Sequence, residues 1–197
     1  LDPSQLDDPS SGLHAEIFKD TRTGTYTLAF RGTNEKKDWT NANTQAFDPN
    51  AKQYGQAIEL AQALKAKLGD RFTDVTGQSM GGGLAAAASA MTGVRATTFN
   101  AAGLNPATIT SRGGTWDEAR MAALITNYRV AGDPLTEAQE GSGTDPLSAY
   151  VSSHHGGWGA YLIGEIGHQI RAQGGTPVQN AYISGPNAQG LPDAVAT

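Results

Sequence analysis

The alternation of apolar and polar positions changes period several times along the 197 residues. In HAEIFKD and TYTLAFRG the β-favouring residues dominate, and Tyr26, Leu28 and Phe30 alternate along the second run. With the turn at residues 20–24 between them, the two runs predict a β-hairpin. Polar residues 33–50 predict a long loop. Over residues 53–68 the spacing becomes helical, with Tyr54, Ala57, Ile58, Ala61, Leu64 and Leu68 on one face and Gly69 as the stop signal. Residues 72–76 predict a short strand, and residues 80–91 an Ala-rich helix with so little charge that it must be buried. Further strands are expected at 95–99 and 124–130, and a last helix at 158–172. Residues 1–12, rich in Pro, Ser and Asp, predict a loosely packed leader, with order beginning near Leu13; residues 176–197 lack a period and predict an irregular tail.

Strands alternating with helices predict an α/β fold: a mostly parallel sheet with helices on both faces and an antiparallel edge from the leading hairpin. An apolar content of 38% in 197 residues suits one domain, here residues 13–175, better than two. A net charge of −5 and scattered Lys and Arg leave no basic stripe, which argues against nucleic acid as a partner. The chain contains 0 cysteines, so disulfides, Cys-ligated zinc and a thiol nucleophile are excluded together. No apolar run reaches membrane-spanning length, and a start at Leu1 without Met or a signal-like segment predicts a processed fragment.

One stretch carries chemistry. VTGQSMGGGL, from Val75, puts Ser79 between the 72–76 strand and the Ala-rich helix, with Gly77 and Gly81 two residues before and after it. That is the layout of a nucleophile elbow, in which a tight turn exposes a serine and the following helix aims its amides at a developing oxyanion. The same letters also suit a glycine-rich turn with a capping serine. Upstream, LAFRGTN ends the second hairpin strand with Gly32 and Thr33, where this kind of sheet takes its second oxyanion donor; Met80 would supply the first.

With these motifs in place, the sequence resembles the class 3 lipase family. The resemblance rests on Ala29 to Thr33 (AFRGT), then Trp39, then Gly77 to Ala85 (GQSMGGGLA), and extends through TTFNAAGLNP, covering about half the chain. Gln78 stands where the family usually has His, and Met80 where it has Leu. The resemblance implies an α/β-hydrolase fold, a Ser-Asp-His triad and carboxylic ester substrates, commonly acylglycerols or phospholipids, with no cofactor and no metal.

The acid is expected at Asp133, just past the 124–130 strand, with Asp145 as the alternate. For the base, the family's placement before the last helix favours His155, followed by Gly156; His154 is second, and His168, inside the 158–172 helix, is third. The adjacent histidines do not read as a metal site, because neighbouring extended residues point apart and no further ligands cluster with them.

The expected chemistry is ester hydrolysis through an acyl-enzyme on Ser79, with Thr33 and Met80 as oxyanion donors. Residues 35–47 occupy the family's lid position but are mostly polar, with Trp39 and Phe47 the main apolar groups. This favours amphiphilic esters, phospholipids above all, over bulk triacylglycerol. The expected partners are a lipid or other acyl ester, transient contact with a membrane surface and, by analogy with bacterial lipase effectors, an immunity or inhibitor protein. A catalytically silent module, or a thioesterase, acyltransferase or peptidase with the same triad, are the competing readings.

Overall fold

The computed structural model describes residues 3–32 and 50–128. After a single 3-10 turn at Pro3–Gln5 come the strands β1 (Asp7–Asp8), β2 (Leu13–Lys19) and β3 (Tyr26–Phe30). Helix α1 (Lys52–Leu68), strand β4 (Phe72–Gln78), helix α2 (Met80–Thr92) and strand β5 (Arg95–Phe99) follow. Helices α3 (Pro106–Thr110) and α4 (Glu118–Leu124) lead into β6 (Ile125–Tyr128). The six strands lie side by side in chain order, antiparallel from β1 to β3 and parallel from β3 to β6. The fold is α/β, a mixed and mostly parallel sheet with helices packed on it.

The local reasons are legible. Asp20 shapes the hairpin turn by accepting the Arg22 N–H at 2.7 Å and the Thr23 N–H at 3.2 Å, while Gly24 takes a φ of 74°. These bonds hold the Asp20 carboxyl below the usual range, the Arg22 amide contributing most. Gly69 ends α1 with φ 58° and returns its N–H to the Lys65 carbonyl, the stop that the sequence marks. Asp117 caps α4 by accepting from the Arg120 N–H, a bond worth about 1 kcal/mol. The short helices α3 and α4 carry no sustained apolar period, and their position follows from caps and from single anchors such as Ile109 and Met121.

Alternate strand residues divide the sheet into two faces. Leu28, Phe30, Val75, Ala96 and Ile125 point into one core with Tyr54, Ile58 and Leu64 of α1 and Leu84 to Ala88 of α2. Each large apolar side chain so buried contributes roughly 1.5–3 kcal/mol before entropy is counted. The opposite face carries Thr27, Thr76, Thr97 and Thr126, all half-buried, an Asp74–Arg95 ion pair at 3.5 Å, and the stacked rings of Phe99 and Tyr128. Helices α1 and α2 pack against each other, and α2 lies on β3, β4 and β5 and touches α3 and α4, so the described helices form one layer. Right-handed crossovers between strands laid down in chain order put successive helices on the same side. The helix expected at 158–172 and the tail at 176–197 lie outside the described residues. Among the described residues, no helix is long and apolar enough to cross a membrane.

The first described residues are bonded to β2 and to α1. Residues 7–8 pair with β2, and the Ala15 N–H donates to the Leu6 carbonyl at 2.7 Å. Asp8 accepts from Lys52 Nζ at 2.8 Å and Gln56 Nε2 at 2.7 Å, both on α1, and the buried Gln53 amide donates to the Ser11 carbonyl. The segment is too polar to fold alone, but its polar groups find partners on α1. Composition could not show this, because those partners lie more than 40 positions away.

Candidate active site

Strand β4 delivers the chain to Ser79 and α2 starts at the next residue. Ser79 has φ 56° and ψ −124°, a region costly for any residue with a side chain, and its hydroxyl makes no capping bond to the helix. This is not the geometry of a helix cap. A capping serine would sit in extended backbone and spend its oxygen on the helix amides; Ser79 does neither.

The glycines explain why the turn is feasible. A Cβ on Gly77 would overlap the Gly81 carbonyl and stand 2.8 Å from the Gly82 nitrogen, and one on Gly81 would overlap the Phe30 carbonyl and stand 2.8 Å from the Arg31 carbonyl. Strand β4, the start of α2 and the end of β3 therefore touch backbone to backbone. The third party is Gly32, whose Cα region faces Ser79: a Cβ there would be 3.5 Å from Ser79 Cβ and 2.8 Å from the Gln78 carbonyl. The end of β3 thus passes directly beside the serine. Gln78, exposed at the end of β4, lines the same approach, its Oε1 lying 3.0 Å from that position.

Behind the serine, the chain after β5 closes the turn. The Ser79 N–H donates to the Phe99 carbonyl at 3.0 Å, extending the β4–β5 ladder. The Ser79 carbonyl accepts from Gly82 and Gly83 of α2 at 3.0 and 3.3 Å and from Ala102 at 2.8 Å. Asn100, with φ 42°, is the other non-glycine residue at positive φ among the described residues, and its N–H donates to the Tyr128 carbonyl at 2.8 Å. Both strained residues sit at the carboxyl edge of the parallel strands, where such sheets carry their reactive groups.

Of the residues singled out in the sequence, the structure places Ser79 and Met80. Met80 is buried and opens α2 directly after Ser79, at the positive end of the helix. Thr33 follows Gly32 but lies outside the described residues, as do Trp39, Phe47, Asp133, Asp145, His154, His155 and His168. The described part of β6 reaches Tyr128, five positions before Asp133 in the sequence.

Comparison with known proteins identifies the family. The Tle-like phospholipase domain, a phospholipase-like family, matches residues 1–184. The chain belongs to the Tle-like phospholipase domain family. A relative of this Tle-like domain is the extracellular phospholipase A1 of Serratia liquefaciens, 39% identical over 149 residues. That match covers 74% of the chain and 46% of the relative, so the chain spans about half the length of that enzyme. Among solved structures, the Tle-like domain is similar to a fungal lipase in an inhibitor complex, with 15% identity and a TM-score of 0.41 over 63% of this chain and 54% of that one.

Tyr54 and Asn127 bond the loop that follows β5, beside Ser79. Asn127 stands at an inward position of β6, and a polar residue in the period-2 apolar face of a strand is a signal that could have been read. Tyr54 lies on the apolar face of α1, and no pattern in the sequence marks where its hydroxyl goes.

Proposed function

We propose that this Tle-like domain is a serine-dependent phospholipase that cleaves carboxylic acyl esters, with Ser79 as nucleophile. The observation that carries the reading is the backbone of Ser79: a strained φ of 56° between a parallel strand and a buried helix, with the hydroxyl not used as a cap. Such strain persists only where the surrounding structure holds it, and here it presents the hydroxyl beside the amino end of α2.

In the proposed mechanism, His155 accepts the Ser79 proton as Oγ bonds to the ester carbonyl carbon and the carbonyl electron pair moves onto oxygen. The backbone N–H groups of Met80 and Thr33 donate to that oxyanion; the support for Thr33 is the close approach of Gly32 to Ser79. Collapse breaks the ester C–O bond, and the imidazolium returns the proton to the leaving alcohol. Asp133 orients the imidazole throughout. Water, deprotonated by the same ring, then releases the fatty acid and restores Ser79. No metal or cofactor takes part.

The name of the Serratia relative brings phospholipid acyl esters, hydrolysed at the first acyl position, to this chain as the substrate class. A lipid surface is then the physical partner, with Trp39 and Phe47 as the side chains that meet it. Release from a bacterium, and neutralisation by an immunity or inhibitor protein, complete the reading.

The test is release of fatty acid from phosphatidylcholine vesicles and of p-nitrophenol from short and long acyl esters, for the wild type, Ser79→Ala, His155→Ala and His154→Ala. Serine-dependent release lost with His155→Ala and kept with His154→Ala is the expected result. Release unchanged by Ser79→Ala would refute the reading.

A further inference from the structure

The residues on either side of Ala102 are gripped by two polar side chains from opposite directions. From the sheet, Asn127 is 6% exposed and pairs across β5–β6 with Thr98. Its Oδ1 accepts the Thr98 hydroxyl at 3.0 Å and the Ala101 N–H at 3.4 Å. A backbone N–H can only donate, so it is the amide oxygen that must face Ala101. From the helix layer, the Tyr54 hydroxyl donates to the Gly103 carbonyl at 3.2 Å. Burial pushes the Tyr54 phenol well above its ordinary pKa, so it remains a neutral donor. Between the two, the Ala102 N–H reaches the Ser79 carbonyl at 2.8 Å.

Packing closes the same arrangement. A Cβ on Gly82 would stand 2.6 Å from Ala101 Cβ, and one on Gly83 would overlap the Tyr54 oxygen, so the first turn of α2 is shaped to the Asn100–Gly103 loop and to Tyr54. An unpaired buried amide or phenol would cost about 1–3 kcal/mol, so an apolar residue would serve a core position better unless the polar atoms have a task.

We propose that Asn127 and Tyr54 are positioning residues for the nucleophile, acting through the loop that bonds the Ser79 carbonyl. They hold Ala101 and Gly103, the loop holds Ala102 against the Ser79 carbonyl, and that bond fixes the peptide plane between Ser79 and Met80. This plane carries the Met80 N–H, so one contact sets both the serine and the amide that would meet the oxyanion. The inference rests on the ester hydrolase reading and adds two residues to it.

The experiment measures kcat and KM on a soluble p-nitrophenyl ester, with melting temperature, for the full chain carrying Tyr54→Phe, Asn127→Ala, Thr98→Val, Thr98→Ser or Ile109→Val. Ile109 is buried in α3 and supplies the stability control. Expected is a fall in kcat of about tenfold or more for Tyr54→Phe, Asn127→Ala and Thr98→Val with KM within about twofold, because small misplacements of a nucleophile act on turnover. Thr98→Ser, which keeps the hydroxyl, restores kcat, and Ile109→Val lowers melting but leaves kcat unchanged. If Asn127→Ala does not fold, Tyr54→Phe and Thr98→Val carry the test, since each removes one hydroxyl or its equivalent. Variants that melt lower yet keep wild-type kcat would overturn the positioning role while Ser79→Ala still abolishes turnover. Wild-type turnover that survives Ser79→Ala would overturn the hydrolase reading, and the positioning role with it.

Discussion

The carbonyl of Ser79 accepts the N–H of Ala102 at 2.8 Å, across a gap of 23 positions in the chain. This bond ties the strained turn to the loop after β5, so the elbow is held by a neighbouring strand as well as by its own helix. Strain of about 1–3 kcal/mol at Ser79 is tolerable only because such contacts over-determine it.

Relieving that strain should separate stability from function. Ser79→Gly removes the side chain that makes φ 56° unfavourable, so unfolding free energy should rise by about 1 kcal/mol while ester hydrolysis disappears. Denaturant unfolding and an ester assay on the same sample check both halves; a less stable Ser79→Gly would contradict the strain argument.

The backbone contacts at the elbow leave no room for a methyl group. Gly81→Ala should drive a Cβ into the Phe30 and Arg31 carbonyls, cost about 1–3 kcal/mol and lower turnover by displacing Gly32 from Ser79. Because backbone cannot rotate away as a side chain can, suppression by shrinking neighbouring side chains should fail. Thermal melting and kcat for Gly81→Ala alone, and with Phe30→Leu, test this.

Gly83 and Tyr54 should be energetically coupled. Gly83→Ala places a methyl against the Tyr54 oxygen, whereas Tyr54→Phe removes that oxygen and vacates the space. In a double-mutant cycle the pair should be more stable than the sum of the single changes predicts, by about 0.5–3 kcal/mol. Strict additivity would mean that the ring relaxes by another route.

Asp8 should make stability fall in acid. Hydrogen bonds from Lys52, Ser10 and Gln56, with Lys52 contributing most, hold its carboxyl well below the usual carboxylate range. A carboxyl with a lowered folded-state pKa adds stability above its unfolded value, about 4, and that contribution shrinks as pH falls below it. The difference in melting temperature between wild type and Asp8→Asn should therefore be constant near neutrality and narrow steadily below about pH 4. A difference independent of pH from neutrality down to pH 2 would show that the charge on Asp8 does not hold the first strand to α1.

The hydrophobic pattern determined the hairpin and α1, whose buried faces repeat locally, with Tyr26, Leu28 and Phe30 at period two and Tyr54 to Leu64 at period 3.6, and it marked α2 as an uncharged run buried on every side. The motif spacing likewise placed Ser79 between a strand and a helix. Tertiary structure decided what local spacing cannot encode. Ser79 takes a positive φ and leaves α2 uncapped where β3 and the Asn100–Gly103 loop, distant in sequence, press against it. Asp7 and Asp8 join the sheet, and Asp8 and Ser11 find their partners Lys52, Gln53 and Gln56 on a helix far along the chain. Asn127 and Tyr54 reach the Asn100–Gly103 loop in the same way, since a hydrogen bond between residues dozens of positions apart leaves no periodic trace in either segment.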